Sequence, residues 1–489
     1  MSYFIGADLG TSALKLLLYK SGGEIVRTVT VSYGVSYPKD GWSEQNPADW
    51  WSAFKAGVDK LCRKDEKKDV VAIGVAGQMH GLVMLDKDDA VIRPAILWND
   101  GRSSKETALL NENKRELLEN TANIAFAGFT APKILWVREN ERESFDRCEK
   151  IMLPKDYLNY KLTGVHASDM SDASGLLLLD VKNRCYSEKM LEICGLKKCQ
   201  LPRLFESYEK IGTLLPSVAR ELGLNAGVVV AAGAGDNAGA AIGTGTVGEG
   251  KCSISLGTSG TVFVASESFV CDFDKVLHYF CHADGKYHVM GCILSAASSN
   301  KWLCDNILCE SDYLKLQSEI DEEGLGKNGV IFLPYLMGER SPINDTDASG
   351  VFIGLRPNTT RADMVQAVFE GVSYAIRENV DIIKNMGVNL KSATVTGGGA
   401  KSPLWLKILS SVLNLNLSVL ENEEGPALGA AYLAAVAAGE IDGIDKIVAP
   451  RVKKTVTPDK TLVSLYERGY QNYKKLYPAL KGVFKELKN

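Results

Sequence analysis

An apolar, β-branched run, Val228-Val-Val-Ala-Ala232, gives way to Gly233 and Gly235, then to the carboxylate of Asp236 and the amide of Asn237, then to small residues through Gly243. A strand that turns on those glycines and starts a helix at Asp236 sets one carboxylate at the floor of a cleft. Held there by a rigid element, it can serve as a general base. An Asp at a helix start can equally cap the helix by accepting bonds from its orphan N–H groups. Residue types alone leave both roles open.

Other stretches carry complementary chemistry. Asp8-Leu-Gly10-Thr11-Ser12 lies between two strand-like runs and presents backbone N–H groups, two hydroxyls and a carboxylate. Such a turn can hold phosphate oxygens and a hydrated cation, or be a plain polar hairpin tip. Leu-Gly-Thr-Ser recurs at 256–259, with Thr258 in the place of Thr11, again between strand-like runs. Two copies of one device far apart in sequence suggest a duplicated domain. Gly77-Gln-Met79-His80-Gly81 is a polar loop between core strands, a plausible substrate edge. Its histidine suits a base, a ligand or a hydrogen-bonded structural role. Gly397-Gly398-Gly399-Ala-Lys-Ser402-Pro403 reads as strand, glycine loop and helix start. Glycines let backbone approach a flat ligand such as a nucleotide, and Ser402 is placed to cap a helix begun by Pro403.

Some strings mislead. Gly245-x4-Gly250-Lys251-Cys252 lacks the hydroxyl that a phosphate loop needs last, and it precedes a strand. Gly243-x-Gly245-x-x-Gly248 follows a helix, where a dinucleotide fingerprint follows a strand. His278, Cys281, His282, His288 and Cys292 fall in strand-like sequence without paired metal-ligand spacing, and a structural reading is favoured.

The elements that position these groups follow from periodicity. Strands are expected at 3–7, 13–19, 24–31, 70–76, 82–85 and 94–98. A helix begins at Pro47, with Asn46 as cap and Trp50, Trp51, Phe54, Val58 and Leu61 on one face. Residues 103–225 read as mostly helical, and the polar stretch 168–175 has no assignable chemistry. A long helix is expected at 361–384, a small-residue helix from Gly425, and an amphipathic tail helix over 461–487 interrupted at Pro478.

The 489 residues suggest two or three domains, and 45% hydrophobic with 24% charged residues is ordinary globular composition. A net charge of −4 gives no reason to expect nucleic acid or an anionic membrane. Eleven scattered cysteines without a C-x-x-C pair read as thiols in a reducing compartment. No apolar leader or spanning run is seen, so a cytoplasmic protein is expected.

Taken together, Trp42-Ser-Glu-Gln45, Gly77-Gln-Met-His-Gly81, Ala95-Ile-Leu-Trp-Asn-Asp-Gly-Arg102, Leu153-Pro-Lys-Asp-Tyr157, Ser171-Asp-Ala-Ser-Gly175 and Gly235-Asp-Asn237 resemble the FGGY family of carbohydrate kinases over nearly the whole chain. The resemblance implies an α/β fold of two ribonuclease-H-like, actin/hexokinase-type domains, with mixed five-stranded sheets around a deep central cleft. Residues 1–245 would hold the sugar, the first phosphate loop and the catalytic Asp; residues 246–489 would hold the second phosphate loop, the adenine nucleotide and a helical tail. It implies Asp236 as catalytic base, Met79, His80, Asp236 and Asn237 as sugar contacts, and Asp8 as the carboxylate orienting Mg²⁺. Thr11, Ser12 and Thr258 fall in its phosphate loops, and Gly398, Gly399 and Ser402 in its adenine-nucleotide loop. The expected reaction is ATP-dependent phosphorylation of D-xylulose on its 5-hydroxyl, with D-ribulose, L-xylulose or another polyol as the alternative acceptor. Expected partners are a small-molecule sugar and ATP, with no nucleic acid and no membrane, and a homodimer is left open. A non-catalytic actin-like switch is the rival from another class.

Overall fold

In the computed structural model, which describes residues 2–272, 274, 276–422, 424–448 and 450–487, two sheets repeat one plan. In the first, Tyr3–Leu9 pairs antiparallel with Ala13–Lys20, which pairs antiparallel with Glu24–Ser32. The other edge of Tyr3–Leu9 pairs in parallel with Val70–Gly77. Val70–Gly77 then pairs in parallel with Val229–Ala231 and, further along, with Ala234–Gly235. In the second, Cys252–Leu256 pairs antiparallel with Gly260–Ser266 and in parallel with Ser392–Thr396, which pairs in parallel with Asn416–Leu420. Both copies of Leu-Gly-Thr-Ser sit where the first hairpin of a sheet turns. The repeat seen in four residues is thus a repeat of topology. Each sheet holds seven strands. The five expected ones form its centre, and short segments such as Lys210–Thr213 and Val452–Val456 extend its edge.

Both faces of the first sheet are covered, as parallel strands require. Side-chain alternation sends Ile5, Ala7 and Leu9 into one core with Trp50, Phe54 and Val58, all on helix Pro47–Leu61. Asn46 caps that helix, accepting from Ala48 N at 3.1 Å. Phe4, Leu17 and Ala72 enter the opposite core, shared with helix Gly425–Ala437. Here backbone lies on backbone. A Cβ on Gly6 would stand 1.9 Å from Ala427 O, and one on Gly74 would stand 2.0 Å from Ala430 O. The same helix meets helix Asp236–Thr244 as closely, since a Cβ on Gly243 would lie 2.0 Å from Gly425 O and one on Gly429 1.9 Å from Gly239 O. The small residues after Gly425 are a packing surface.

By internal contacts the chain forms two units. One is Met1–Val247 with Tyr279–His288 and Glu424–Ala449; the other is Gly248–His278 with Val289–Glu423 and Pro450–Asn489. In the second unit, helix Arg361–Asn385 buries Phe369, whose ring stacks on Trp405 of helix Pro403–Leu413 at 4.4 Å.

Two expectations are corrected. The tail helix is not interrupted: Lys460–Leu487 runs through Pro478. Proline there removes one hydrogen bond, while Tyr466, Tyr470 and Tyr473 before it and Phe484 after it are buried and keep both halves on the protein. Residues 103–225 are also less helical than expected. Short strands such as Lys150–Met152 and Ala167–Asp169 find partners at Val83–Leu85 and Arg203–Phe205, which no local window of sequence contains. Among the described residues no helix is long and apolar enough to cross a membrane.

Because Gly74 abuts a carbonyl, Gly74→Ala is expected to force sheet and helix apart at a cost of about 2–3 kcal/mol, read as a thermal midpoint lower by roughly 5–10 °C. An unchanged midpoint in differential scanning fluorimetry would refute the close approach.

Candidate active site

The carboxyl ends of three neighbouring parallel segments assemble the site of the first unit. In register, Asp8 lies beside Ala76 and Ala76 beside Ala234, while Leu9 lies beside Gly77 and Gly77 beside Gly235. Each chain therefore leaves the sheet at one level, into Gly10-Thr11-Ser12, Gln78-Met79-His80 and Asp236-Asn237 respectively. Strands stand about 4.8 Å apart, so the outer two segments are separated by roughly 10 Å, a span suited to small polar ligands.

Asp236 is the first residue of its helix, after the cap position held by Gly235, which has no side chain to cap with. Asp236 therefore does not hold the cap position, yet it takes up one free N–H of the first turn. Its Oδ1 accepts from Asn237 N at 2.7 Å and from Asn237 Nδ2 at 2.9 Å. Those bonds fix the carboxylate's plane and engage one oxygen. Burial pushes the Asp236 carboxyl up to about 6 against the pull of the Asn237 bonds. This is the range in which a carboxylate is both ionised near neutrality and basic enough to take a proton.

Asp8 is pushed up to about 7, first by burial and then by the charge of Asp236; Lys15 pulls it down and Glu424 adds to the rise. Lys15 sits opposite Asp8 in the hairpin and pairs with Glu424 at 2.7 Å. Asp8 thus feels two further carboxylates against one ammonium. Among the described residues no three acidic, histidine or cysteine side chains converge as a metal site, so Asp8 alone, a hard oxygen donor in an excess of negative charge, fits the orienting of a hydrated divalent cation such as Mg²⁺.

The first hairpin turn is held from several sides. Gln45 Nε2 donates to Thr11 O at 2.6 Å, Thr11 Oγ1 donates to Gln78 Oε1 at 3.2 Å, and Trp98 Nε1 donates to Thr11 Oγ1 at 2.9 Å. Ser12 is exposed. Trp98 is 41% exposed although large and apolar. In the sequence it reads as the end of a short strand, and its hydrogen bond to Thr11 sets it beside the first hairpin turn. Its signal was its position, directly before the Asn99-Asp-Gly turn.

The Met79-His80 loop is seated on glycine. A Cβ on Gly235 would stand 2.9 Å from Met79 Sδ, and one on Gly175 would stand 2.4 Å from His80 Nδ1. His80 adopts a left-handed backbone with φ 66°, which costs a non-glycine residue about 1–3 kcal/mol and persists only where its surroundings enforce it. They do so here. His80 Nδ1 lies 2.9 Å from Gly175 O, the ring stacks on Phe129 at 4.5 Å, and the backbone carbonyl accepts from Thr130 Oγ1 at 3.1 Å and buried Lys133 Nζ at 2.8 Å. Nothing in the sequence around Lys133 marked it, because a lysine in a helix ordinarily reads as solvated.

The second unit gathers Thr258, Gly398, Gly399 and Ser402. Thr258 is exposed in its hairpin turn, its carbonyl accepting from Ala296 N at 2.9 Å and Ser298 Oγ at 2.7 Å. Gly397 adopts φ 88°, and a Cβ there would meet Leu256 C at 2.7 Å, so the glycine loop lies directly on the Leu-Gly-Thr-Ser turn. Gly398 is exposed, whereas Gly399 is buried against Leu256. Ser402 caps the helix as expected, accepting from Trp405 N at 3.1 Å, and donates to Gln317 Oε1 at 2.7 Å. Its hydroxyl is committed to shaping the loop.

Two repeated ribonuclease-H-like halves of this type define the actin/hexokinase class of folds. Within it, residues 3–243 match the N-terminal domain, and residues 252–438 the C-terminal domain, of the FGGY family of carbohydrate kinases. The chain is 41% identical over 480 residues to the xylulose kinase of Escherichia coli (strain K12), covering 98% of this chain and 99% of that protein. It is 36% identical over 495 residues to the xylulose kinase of Bacillus subtilis (strain 168), covering 99% of each. A crystal structure of a "xyloylose kinase" from Brucella ovis superposes with a TM-score of 0.95 at 41% identity, covering 98% of this chain and 100% of that one. The chain belongs to the FGGY family and is a carbohydrate kinase.

In the unfolded chain Asp8 titrates near its ordinary 3.8, and in the folded one near 7. The folded state holds the extra proton between these values, so this residue's contribution to stability is lost as pH rises toward 7. Asp8→Asn, which never ionises, is expected to gain thermal stability over the parent by an amount that grows from about pH 4 to 7 and levels off above. A difference that does not vary with pH, in metal-free protein, would remove burial and like charge as the cause.

Proposed function

We propose that this chain transfers the γ-phosphoryl group of ATP to the 5-hydroxyl of D-xylulose, giving D-xylulose 5-phosphate and ADP. The observation that carries the reading is Asp236: a half-buried carboxylate, raised into the working range of a general base, beside the Met79-His80 loop. Full-length kinship with xylulose kinases supports the choice of sugar.

Asp236, with Oδ1 engaged by Asn237, turns its other oxygen to the sugar and accepts the proton of the 5-hydroxyl. The O5–Pγ bond forms as the bond from Pγ to the bridging oxygen of ADP breaks, in line. Met79, His80 and Asn237 position the sugar, and Trp98 closes one side. Thr11, Ser12 and Thr258 receive phosphate oxygens, and Gly398 and Gly399, on a loop shaped by Ser402, receive the adenine nucleotide. The sugar, the base and the first phosphate loop thus belong to residues 1–245, and the second phosphate loop and the adenine nucleotide to 246–489. Asp8 is the residue that would hold Mg²⁺, which when bound offsets negative charge on the phosphates. Eleven free thiols support a cytoplasmic setting, where ATP is also supplied.

ADP release with Mg·ATP and, separately, D-xylulose, L-xylulose, D-ribulose, gluconate, glycerol or no sugar tests the reading. A response to D-xylulose with a pentose monophosphate confirmed by mass is expected. A response confined to another sugar overturns the substrate and keeps the base. No sugar response from folded, ATP-binding protein favours a nucleotide switch.

Two variants separate base from sugar loop. Asp236→Asn should lower kcat by at least about 10²–10⁴-fold with ATP binding retained, and near-parental turnover would remove it as the base. Gly175→Ala, which displaces His80, should raise the KM for sugar by at least about tenfold and leave the KM for ATP within about twofold. Equal changes in both constants would argue against a sugar role for His80.

A further inference from the structure

Two polar motifs lie behind the Asp236 turn, and of their residues the proposed reaction uses only Gly175, on which His80 is seated. They are Leu153-Pro-Lys-Asp-Tyr157 and Ser171-Asp-Ala-Ser-Gly175. Lys155 is wholly buried, and its Cδ lies 3.3 Å from where a Cβ on Gly233 would stand. Its ammonium is 2.6 Å from Asp156 Oδ1 and 3.0 Å from Asp169 Oδ1, and it donates to Ala232 O at 3.2 Å. Asn159 Nδ2 donates to the same carbonyl at 2.9 Å. Asp169 Oδ2 accepts from Ser171 N at 2.8 Å, from Ser171 Oγ, and from Ser207 Oγ at 2.7 Å. Ser171 Oγ in turn accepts from Gly235 N at 3.1 Å, while Gly233 N donates to Ser207 O at 3.0 Å.

The direction of these bonds matters. Ser171 gives its proton to Asp169 and so offers a lone pair to Gly235 N–H. Gly235 occupies the cap position of the Asp236 helix and brings no side chain of its own. An acceptor for that helix start is therefore supplied from a different element, and its aim is set by a buried ion pair. Breaking one partner of such a pair is strongly destabilising, and so its geometry is stiff.

We propose that Ser171, held by the Lys155–Asp169 pair, is a positioning residue: it fixes the Gly235 peptide and through it the direction of the Asp236 carboxylate. The proposal rests on the reading of Asp236 as the base. Ser171 touches neither reacting oxygen nor phosphorus in that reading. Its effect is angular, and a misplacement of about 1 Å in a reacting group can cost on the order of 10²-fold in rate.

The test compares Ser171→Ala with Ser207→Ala in the full-length protein. Each removes one hydroxyl donor from Asp169 Oδ2, so each carries a similar structural loss; Ser171→Ala alone also releases Gly235 N–H. Both should lower the thermal midpoint, Ser171→Ala further, because it also leaves a buried N–H without its acceptor. Ser171→Ala should lose roughly 10–100-fold in kcat with the KM for D-xylulose and ATP within about threefold, and Ser207→Ala should stay within about twofold in kcat. Ser171→Cys, which leaves the Lys155–Asp169 pair intact and sets a poorer acceptor before Gly235 N–H, is expected to lower kcat at constant KM, and it carries the test if Ser171→Ala does not fold. Asp236→Asn is measured alongside. An inactive Asp236→Asn beside unchanged kcat in Ser171→Ala or Ser171→Cys, or beside equal losses in the two serine variants, overturns the positioning role and leaves the base assignment standing. Parental turnover in Asp236→Asn overturns the base assignment itself, and the positioning role with it.

Discussion

Gly77 lies between Leu9 and Gly235 in the first sheet, and most of the site follows from that register. A slip of one residue would turn every side chain of a strand to the opposite face. Asp8 would then leave the side it shares with Phe4 and Gly6 and enter the core around Trp50. The register is held by full burial on both faces and by glycines where helix Gly425–Ala437 and helix Asp236–Thr244 come within backbone contact. A larger residue at Gly6, Gly74, Gly243 or Gly429 would need space that carbonyl oxygens occupy. Close packing and site geometry are therefore one constraint.

The electrostatics follow from the same placement. Parallel strands that end at one level bring carboxylates together, and burial keeps water from screening them fully. Asp8 and Asp236 both rise, by amounts that leave each able to ionise near neutrality. Behind Asp236, Lys155 has no solvent contact and balances charge among Asp156 and Asp169. Lys133 is also buried, which disfavours its charged form, and it serves as a fixed hydrogen-bond donor to the His80 carbonyl that helps to maintain the strained His80 backbone.

The duplication is one of scaffold and not of chemistry. Leu9-Gly-Thr-Ser12 and Leu256-Gly-Thr-Ser259 turn the same hairpin in two sheets of the same order. The residue before the motif is Asp8 in the first copy and Ser255 in the second. The first turn thus carries a carboxylate that the second lacks. The second has instead the Gly397–Gly399 loop laid against its Leu256.

Sequence by itself determined the central strands, the helix starts at Pro47, Asp236 and Pro403, the repeat, and the residues around which the site is built, because each is written in local periodicity, capping chemistry or glycine placement. It could not reveal the strands within 103–225, since two or three residues become a strand only when a distant partner completes the ladder. Nor could it foresee the unbroken helix through Pro478, which tertiary burial of tyrosines before the proline and of Phe484 after it sustains. Trp98, Lys133, Lys155 and Ser171 were also decided by tertiary structure. Their types are common, and their meaning lies in a hydrogen bond to Thr11, to the His80 carbonyl, to Ala232 and to Gly235 N–H respectively. The spacing along the chain between those partners is arbitrary, so only the folded arrangement, which brings distant donors and acceptors together, could assign them.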